Sequence, residues 1–496
     1  MLTATHIIGI LLTVGLLLAV SVLSGRKVKD ARSFTTGGRA GSWMVCGAIL
    51  STLVGGQSTI GTAQLAFSFG LSAWWFTIGA ALGALVLGLV YAAPLRRSGC
   101  STLMEVVRQQ YGRRAETVGS ILFLVGIFIS ITSQLLSSSA MLSSLFGLPV
   151  GWALAIGALL IAAMVLGGGI RSAGAGGIVK LVLLYVSSLA AGIAVWHIGH
   201  GLGGIRDSIA QIYASPQLAA LNDITCAEDI HRRYGTFLAR GQLKDLGGCL
   251  SLTLGVVCTQ TYAQGIWSAA TTRKAKLGAV YCAALIPLIG AACTLVGMYM
   301  RGHYVTADEL SALQDAGCQL PEGVGVLENS LQAFPTFILA HLPAWLGGIA
   351  LGAMLVNILG CGSGLVLGAA TILTRDVYGN LLSLLRRTPR LGQLTQTRLS
   401  ILLLLALAAV AAHFVQGSFI NDLGFLSLGL RAAALLLPLS FALWLPGMFK
   451  PHAVTASMAV GTAAMLTAGL TDLPGDAMYY GLAASAITLL PGLRRR

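Results

Sequence analysis

The 496-residue chain is 56% hydrophobic, only 10% charged and has a mean hydropathy of +0.82. That composition excludes a soluble domain and describes a polytopic, all-α membrane protein. The formal net charge of +14 reads as Lys and Arg gathered in cytoplasmic loops, not as a nucleic-acid surface. Nine cysteines lie scattered without CxxC or Cys/His spacing, which argues against a metal centre beyond a transported ion. His6, His197, His200 and His231 form no metal or catalytic constellation.

In chain order, hydropathy predicts about thirteen spans near 6–24, 43–70, 72–94, 117–146, 149–168, 175–199, 246–270, 277–300, 344–373, 397–416, 423–446, 452–470 and 476–491. The first apolar segment has no basic leader or small-residue cleavage site, so it reads as a retained helix and not a signal peptide. Basic clusters follow spans one, three, five, seven and nine, at Arg26–Arg39, Arg96–Arg114, Arg171, Arg273–Lys276 and Arg375–Arg398, and Lys450 and the terminal arginines complete the set. If spans alternate, all of these fall on one side, with the N-terminus outside and the C-terminus inside. Trp74 and Trp75 begin span three at an aromatic-belt position.

The outer segments 200–245 and 301–343 mix charges, and each holds one central cysteine. A Cys226–Cys318 disulfide and two free thiols are both open. Phe334–His341 reads as a short amphipathic interfacial helix. These features divide the chain into a first helix with its basic loop (1–42), a five-helix block (43–199), an outer loop (200–245), a second five-helix block containing the other outer loop (246–446), and two C-terminal helices (447–496).

Two spans are interrupted. STLVGGQSTIGTAQ (51–64) puts a Gly-Gly pair and a polar run at mid-membrane, and CTQTYAQG (258–265) does the same five spans later. Freed backbone groups are tolerated in a membrane only beside protein or a cavity. Two broken helices in corresponding positions predict two inverted five-helix repeats, spans 2–6 and 7–11, with a solute site near the midplane between them. The polar residues at that depth are Gln57, Ser58, Gln134, Thr259, Gln260 and Gln264, as solute ligands or as interhelical glue. Span nine carries a stripe of small residues, Ala353, Asn357, Gly360/Cys361, Gly364, Gly368 and Thr371, which reads as a face buried against other helices or flanking an ion or solute site.

The segments FTTGGRAGSWMVCGAILST (34–52), TLMEVVRQQYG (102–112), GGGIRS (167–172), TQTYAQGIWSAATTRKAKLG (259–278) and LTRDVYG (373–379) occur in an order that resembles the sodium/solute symporter family, over roughly residues 5–450. The resemblance implies the leucine-transporter-type five-plus-five inverted repeat and a sodium ion held between the broken second span and span nine. Carried over residue by residue, its carbonyl positions fall on Ser51, Val54 and Asn357, and its hydroxyl positions on Gly360 and Cys361. A glycine offers no side-chain ligand and a thiol is a soft one for a hard cation. Ser363 would substitute only with a shift of helix register.

Where the family tends to carry an acidic residue in span six, this chain has Gly177 and Lys180. Lys180 either snorkels to the cytoplasmic surface or points into the bundle as a titratable stand-in for the ion. Arg431, the other deep charge, either pairs with backbone carbonyls or Asp422, or receives a substrate carboxylate through its guanidinium fork.

The function expected is a secondary active transporter, and not an enzyme, moving a small polar organic solute across a bacterial inner membrane by alternating access. Na+ or H+ would be the coupling ion. The partners expected are the solute and membrane lipid, with no cofactor and no obligate protein partner. A membrane enzyme would need acids, histidines or a nucleophile clustered at one depth, and the sensor half of a two-component receptor would need a cytoplasmic domain.

Overall fold

A computed structural model describes residues 2–25, 40–168, 175–320, 323–379, 392–471 and 473–494. Eight of its helices are long and apolar enough to cross a membrane: Gln57–Arg97, Arg113–Phe146, Leu181–Ile198, Thr272–Arg301, Ala344–Thr374, Leu394–Phe414, Ile420–Trp444 and Pro451–Leu470. Ala4–Gly15, Ser42–Leu53 and Val150–Leu166 are shorter apolar helices. The span expected at 246–270 is split into Gln242–Val257 and Gln260–Ser268, and that at 476–491 is the 13-residue helix Ala477–Leu489. Large apolar side chains such as Trp43, Trp152, Leu159 and Leu403 face outward, the inverse of a soluble surface and suited to lipid.

Each broken helix opens a run of five. Ser42–Leu53 with the turns after it is followed by 70–97, Arg113–Phe146, Val150–Gly168 and Ala175–Ile198. Gln242–Val257 with Gln260–Ser268 is followed by Thr272–Arg301, Ala344–Thr371, Gln393–Phe414 and Ile420–Trp444. Gly70, at φ +56°, turns the chain from the first broken helix into the next, and an added Cβ there would lie 2.3 Å from the Tyr234 carbonyl oxygen.

Helix Ala344–Thr371 uses two faces. On one, Gly348 and Gly352 meet the first helix, where a Cβ on Gly9 would lie 2.9 Å from the Gly348 Cα and one on Gly352 would lie 2.9 Å from the Thr13 Cβ. This crossing of small residues stands apart from the stripe singled out in the sequence. On that stripe, Ala353, Asn357 and Cys361 are buried, Gly360, Gly364 and Gly368 are half-buried, and Thr371 is exposed.

The described residues of 200–245 and 301–343 are structured. Helices Gly201–Ile212, Pro216–Leu221, Ala227–Tyr234 and Ala307–Asp315 cover that end, together with strands β1 (Tyr304–Thr306) and β2 (Gly325–Leu327) paired in parallel. Apart from this small ladder of two three-residue strands, the described residues are nearly all helical, as the all-α expectation has it. Arg301, at the end of its helix, pairs with Glu309 at 2.8 Å and donates to the Tyr213 hydroxyl. Helix Ala333–His341 forms as expected, but Phe334, Pro335, Phe337 and Ile338 are buried, so it packs into the molecule and does not simply lie on an interface. Trp74 and Trp75 are half-buried, and their indole N–H groups donate to the Pro287 and Phe237 carbonyls. Cys226 and Cys318 are unbonded.

Candidate functional site

Three residues interrupt the first broken helix. Val54 is extended (φ −94°, ψ 101°), and Gly55 and Gly56 follow it before the π-helical turn Gln57–Gly61. An extended residue inside a helix frees carbonyls and amides that must find other partners. Here they find side chains from two neighbouring helices. The Asn357 amide nitrogen donates to the Val54 carbonyl at 2.7 Å, and the Cys361 thiol donates to the Thr52 carbonyl at 3.2 Å. The Gly56 N–H donates to Gln134 Oε1 at 3.1 Å. Gln57 reaches Ser133 at 2.6 Å, and the Ser58 hydroxyl returns to the Leu53 carbonyl. The two glycines are required by proximity, since an added Cβ would lie 2.9 Å from the Cys361 sulfur at Gly55 and 2.2 Å from the Ser137 Cβ at Gly56.

Ser130, Ser133, Gln134 and Ser137 stand at i, i+3, i+4 and i+7 on helix Arg113–Phe146, all buried. That spacing makes one polar face, and it is the signal in the sequence by which the serines are recognisable beside Gln134. Further out, Gln64 accepts from the Ile420 N–H and donates to the Ser418 carbonyl, and Asn421 reaches the Thr62 hydroxyl. The outer half of the broken helix is thereby tied to the start of helix Ile420–Trp444.

The second break lies at Cys258 and Thr259. Thr259 is extended (φ −102°, ψ 122°), and its hydroxyl donates back to the Gly255 carbonyl instead of capping the helix that follows. Arg431 sits against this break with 1% of its surface exposed. Its guanidinium donates to the hydroxyls of Thr259 (3.2 Å), Ser130 (2.7 Å) and Ser427 (2.8 Å) and to the Gly126 carbonyl (3.4 Å), and it lies over the Phe123 ring. Gly126 permits the approach, because an added Cβ would lie 2.9 Å from the Arg431 Cγ.

The pairing of Arg431 with Asp422 is not formed. Asp422 binds Arg240, which also holds Asp245, itself accepting from Ser72. Gln260 joins neither group around the breaks: its side chain accepts from the Leu103 N–H and donates to the Ser101 carbonyl. Gln264 is half-buried. The Lys180 side chain lies outside the described residues.

The positions carried over for a sodium ion do not make an oxygen cage as they stand. The Val54 carbonyl is already occupied by a donor, Gly360 has no side chain, Cys361 brings a thiol, and the Ser363 hydroxyl donates to the Gly360 carbonyl. The Ser51 hydroxyl donates to the Ala48 carbonyl. A hard monovalent cation prefers oxygen ligands. One buried oxygen here has no partner, Asn357 Oδ1. Turning the Asn357 amide over would release the Val54 carbonyl and present a second oxygen beside it.

The model of the sodium:solute symporter family matches residues 34–461. The pig sodium/glucose cotransporter 1 is 25% identical over 403 residues, 78% of this chain and 59% of that protein. The high-affinity choline transporter 1 of Torpedo marmorata is 24% identical over 355 residues, 69% of this chain and 55% of that protein. The chain thus spans little more than half the length of these relatives. A substrate-bound, outward-open Na+-coupled sialic acid symporter shares the fold, with a TM-score of 0.70 at 17% identity, covering 99% of this chain and 97% of the other.

Proposed function

The chain belongs to the sodium:solute symporter family, and from that premise we propose that it is an ion-coupled secondary transporter of a small polar organic solute, working by alternating access. The observation that carries the proposal is the pair of helix breaks, at 54–56 and 258–259, the first lined by buried polar side chains of helices Arg113–Phe146 and Ala344–Thr371 and the second by those of Arg113–Phe146 and Ile420–Trp444. Backbone freed inside a membrane helix is the usual means of building a solute and ion site at the midplane. Gln57, Ser58, Gln134, Thr259 and Arg431 line that site. Gln260 and Gln264 belong to the cytoplasmic side of the second broken helix.

The architecture proposed with it is thirteen spans, N-terminus outside and C-terminus inside, with spans 2–6 and 7–11 as inverted repeats in a bacterial inner membrane. The two runs of five helices, each opened by a break, and the alternating basic loops support it. Sodium is the coupling ion that the family suggests. Its site is the cradle of Ser51, Val54 and Asn357, entered as the Asn357 amide turns over. The alternative, a sodium-independent or proton-coupled carrier, rests on Lys180, whose side chain lies outside the described residues.

The test is uptake by the purified full chain in proteoliposomes under an imposed sodium gradient, an imposed proton gradient, or neither. Radiolabelled sugars, amines, amino acids and carboxylates serve as probes. Accumulation driven by sodium is expected. Failure of every probe to accumulate under either gradient would sink the reading.

A further inference from the structure

Arg431 is a fully buried cation that none of its contacts neutralises. Its partners are three hydroxyls and one distant carbonyl, and among the described residues no carboxylate lies within ion-pair distance of it. The hydroxyls are themselves committed: Ser427 donates to Gly126, Ser130 and Ser427 bond each other, and Thr259 donates to Gly255. Its Nε–H has no partner at all. Buried ionised groups are otherwise paired, because removing a charge from water uncompensated is strongly unfavourable.

The guanidinium also meets a second positive feature. Thr259 is the N-cap of the nine-residue helix Gln260–Ser268, and its side chain does not cap that helix. The Tyr262 N–H donates to the Thr259 carbonyl, and with no side-chain cap the terminus keeps the partial positive charge of a helix N-terminus. Arg431 touches this terminus through Thr259, and the Thr261 hydroxyl of the same first turn is buried without a partner. A helix N-terminus and an arginine fork both select anions, and a planar carboxylate matches the fork best.

We propose that Arg431 and the N-terminus of helix Gln260–Ser268 form the binding site for the carboxylate of the transported solute, so that the substrate class is a small organic acid and not a neutral sugar or an amine. The proposal rests on the transport reading for the fate of the bound solute, but not for its binding. When the site is filled, the carboxylate supplies the counter-charge that the protein omits, and the solute's remaining polar groups face Gln57 and Gln134 across the bundle. Loss of the bound anion leaves the cation bare.

The experiment is thermal unfolding of the detergent-purified full chain at fixed sodium and ionic strength. The probes are acetate, propionate, lactate and benzoate, each against its own amide (acetamide, propionamide, lactamide and benzamide), with glucose, choline and chloride alongside. At least one carboxylate is expected to raise Tm where the paired amide does not. Its apparent affinity should fall at least about tenfold in Arg431→Gln and be partly kept in Arg431→Lys, as the loss of a charge-assisted bond requires.

Stabilisation by glucose or choline instead, unaffected by Arg431→Gln, overturns the anion site while leaving transport intact. So does an equal response to chloride, or no response to any carboxylate. Should Arg431→Gln fail to fold, the wild-type contrast between each acid and its amide decides alone. Carboxylate binding lost in Arg431→Gln, together with no uptake of any solute into proteoliposomes, would instead uphold the site and sink the transport reading.

Discussion

The two helix breaks solve one physical problem in opposite ways. At 54–56 the freed groups are met by the protein itself, by Asn357, Cys361 and Gln134, across glycines that bring the partners close. At 258–259 there is no glycine and no capping side chain, and a charged group without a counter-charge faces the opening. The first break is closed by neutral donors and acceptors already in place. The second keeps its electrostatic requirement unmet. Under the proposed function that division matters, because an unmet charge makes the binding of an anion consequential.

The largest expected effect lies away from both breaks and sets the scale. Burial works to raise the Glu309 carboxyl, but the Arg301 guanidinium beside it outweighs this and holds it below its usual value. The resulting stabilisation is complete above the unfolded pKa of about 4.3 and is lost as pH falls through the lower folded value. Glu309→Gln should destabilise the protein by about 3 kcal/mol at neutral pH and flatten the acid limb of a Tm-against-pH profile, without changing solute affinity.

Next in size, Gly56→Ala forces a Cβ to 2.2 Å from Ser137 and should cost roughly 1–3 kcal/mol. Ser137→Gly in the same chain should restore most of the loss in a denaturation assay. If Gly56→Ala is neutral, the first break is not closely packed and the contrast fails.

Asn357→Leu removes the donor to the Val54 carbonyl and should cost about 1–2 kcal/mol. It should also abolish any rise in Tm that sodium produces and choline does not. Its counterpart at the second break, Thr259→Val, should cost less than about 1.5 kcal/mol yet lower uptake more than Asn357→Leu lowers it at saturating sodium. Equal ratios of stability loss to uptake loss at the two sites would erase the distinction. Smallest in stability is the pair Gly360→Ser with Cys361→Ser, at about 0.5–1 kcal/mol, because the hydroxyl can take over the buried thiol's bond to the Thr52 carbonyl. It adds hydroxyl oxygens next to the cradle, so a sodium titration followed by Tm should shift to lower concentrations.

Both breaks were legible in the sequence, the first from its Gly-Gly pair and polar run and the second from CTQTYAQG, because helix interruption has a local cost visible in composition. The short helix at 333–341 was legible from its amphipathic pattern, but not the burial of Phe334, Phe337 and Ile338 against the molecule. What each freed group bonds to was not. Asn357 and Val54 are 303 residues apart, Gln64 and Ile420 are 356 apart, and Arg431 and Thr259 are 172 apart. Nothing local distinguishes Gln134, which closes the first break, from Gln260, which is drawn off to the loop at Ser101 and Leu103. The partner of Asp422 was hidden likewise, since Arg240 lies in an outer segment read only as mixed charge. The three-residue strands β1 and β2 are too short to leave a periodic pattern.

The glycine crossing between the first helix and helix Ala344–Thr371 has a consequence for how the chain is made. Gly9 and Gly348 face each other across a gap no Cβ would fit, yet about 340 residues of synthesis separate them. At ~5–20 residues per second the first helix waits on the order of 20–70 s in the bilayer before its partner is available. During that interval its small-residue face is a vacant surface for any other helix with matching glycines. Late docking of Ala344–Thr371 makes the crossing dependent on that interval, and a bulky residue at Gly9 is expected to show itself first as a shortfall of mature protein in the membrane.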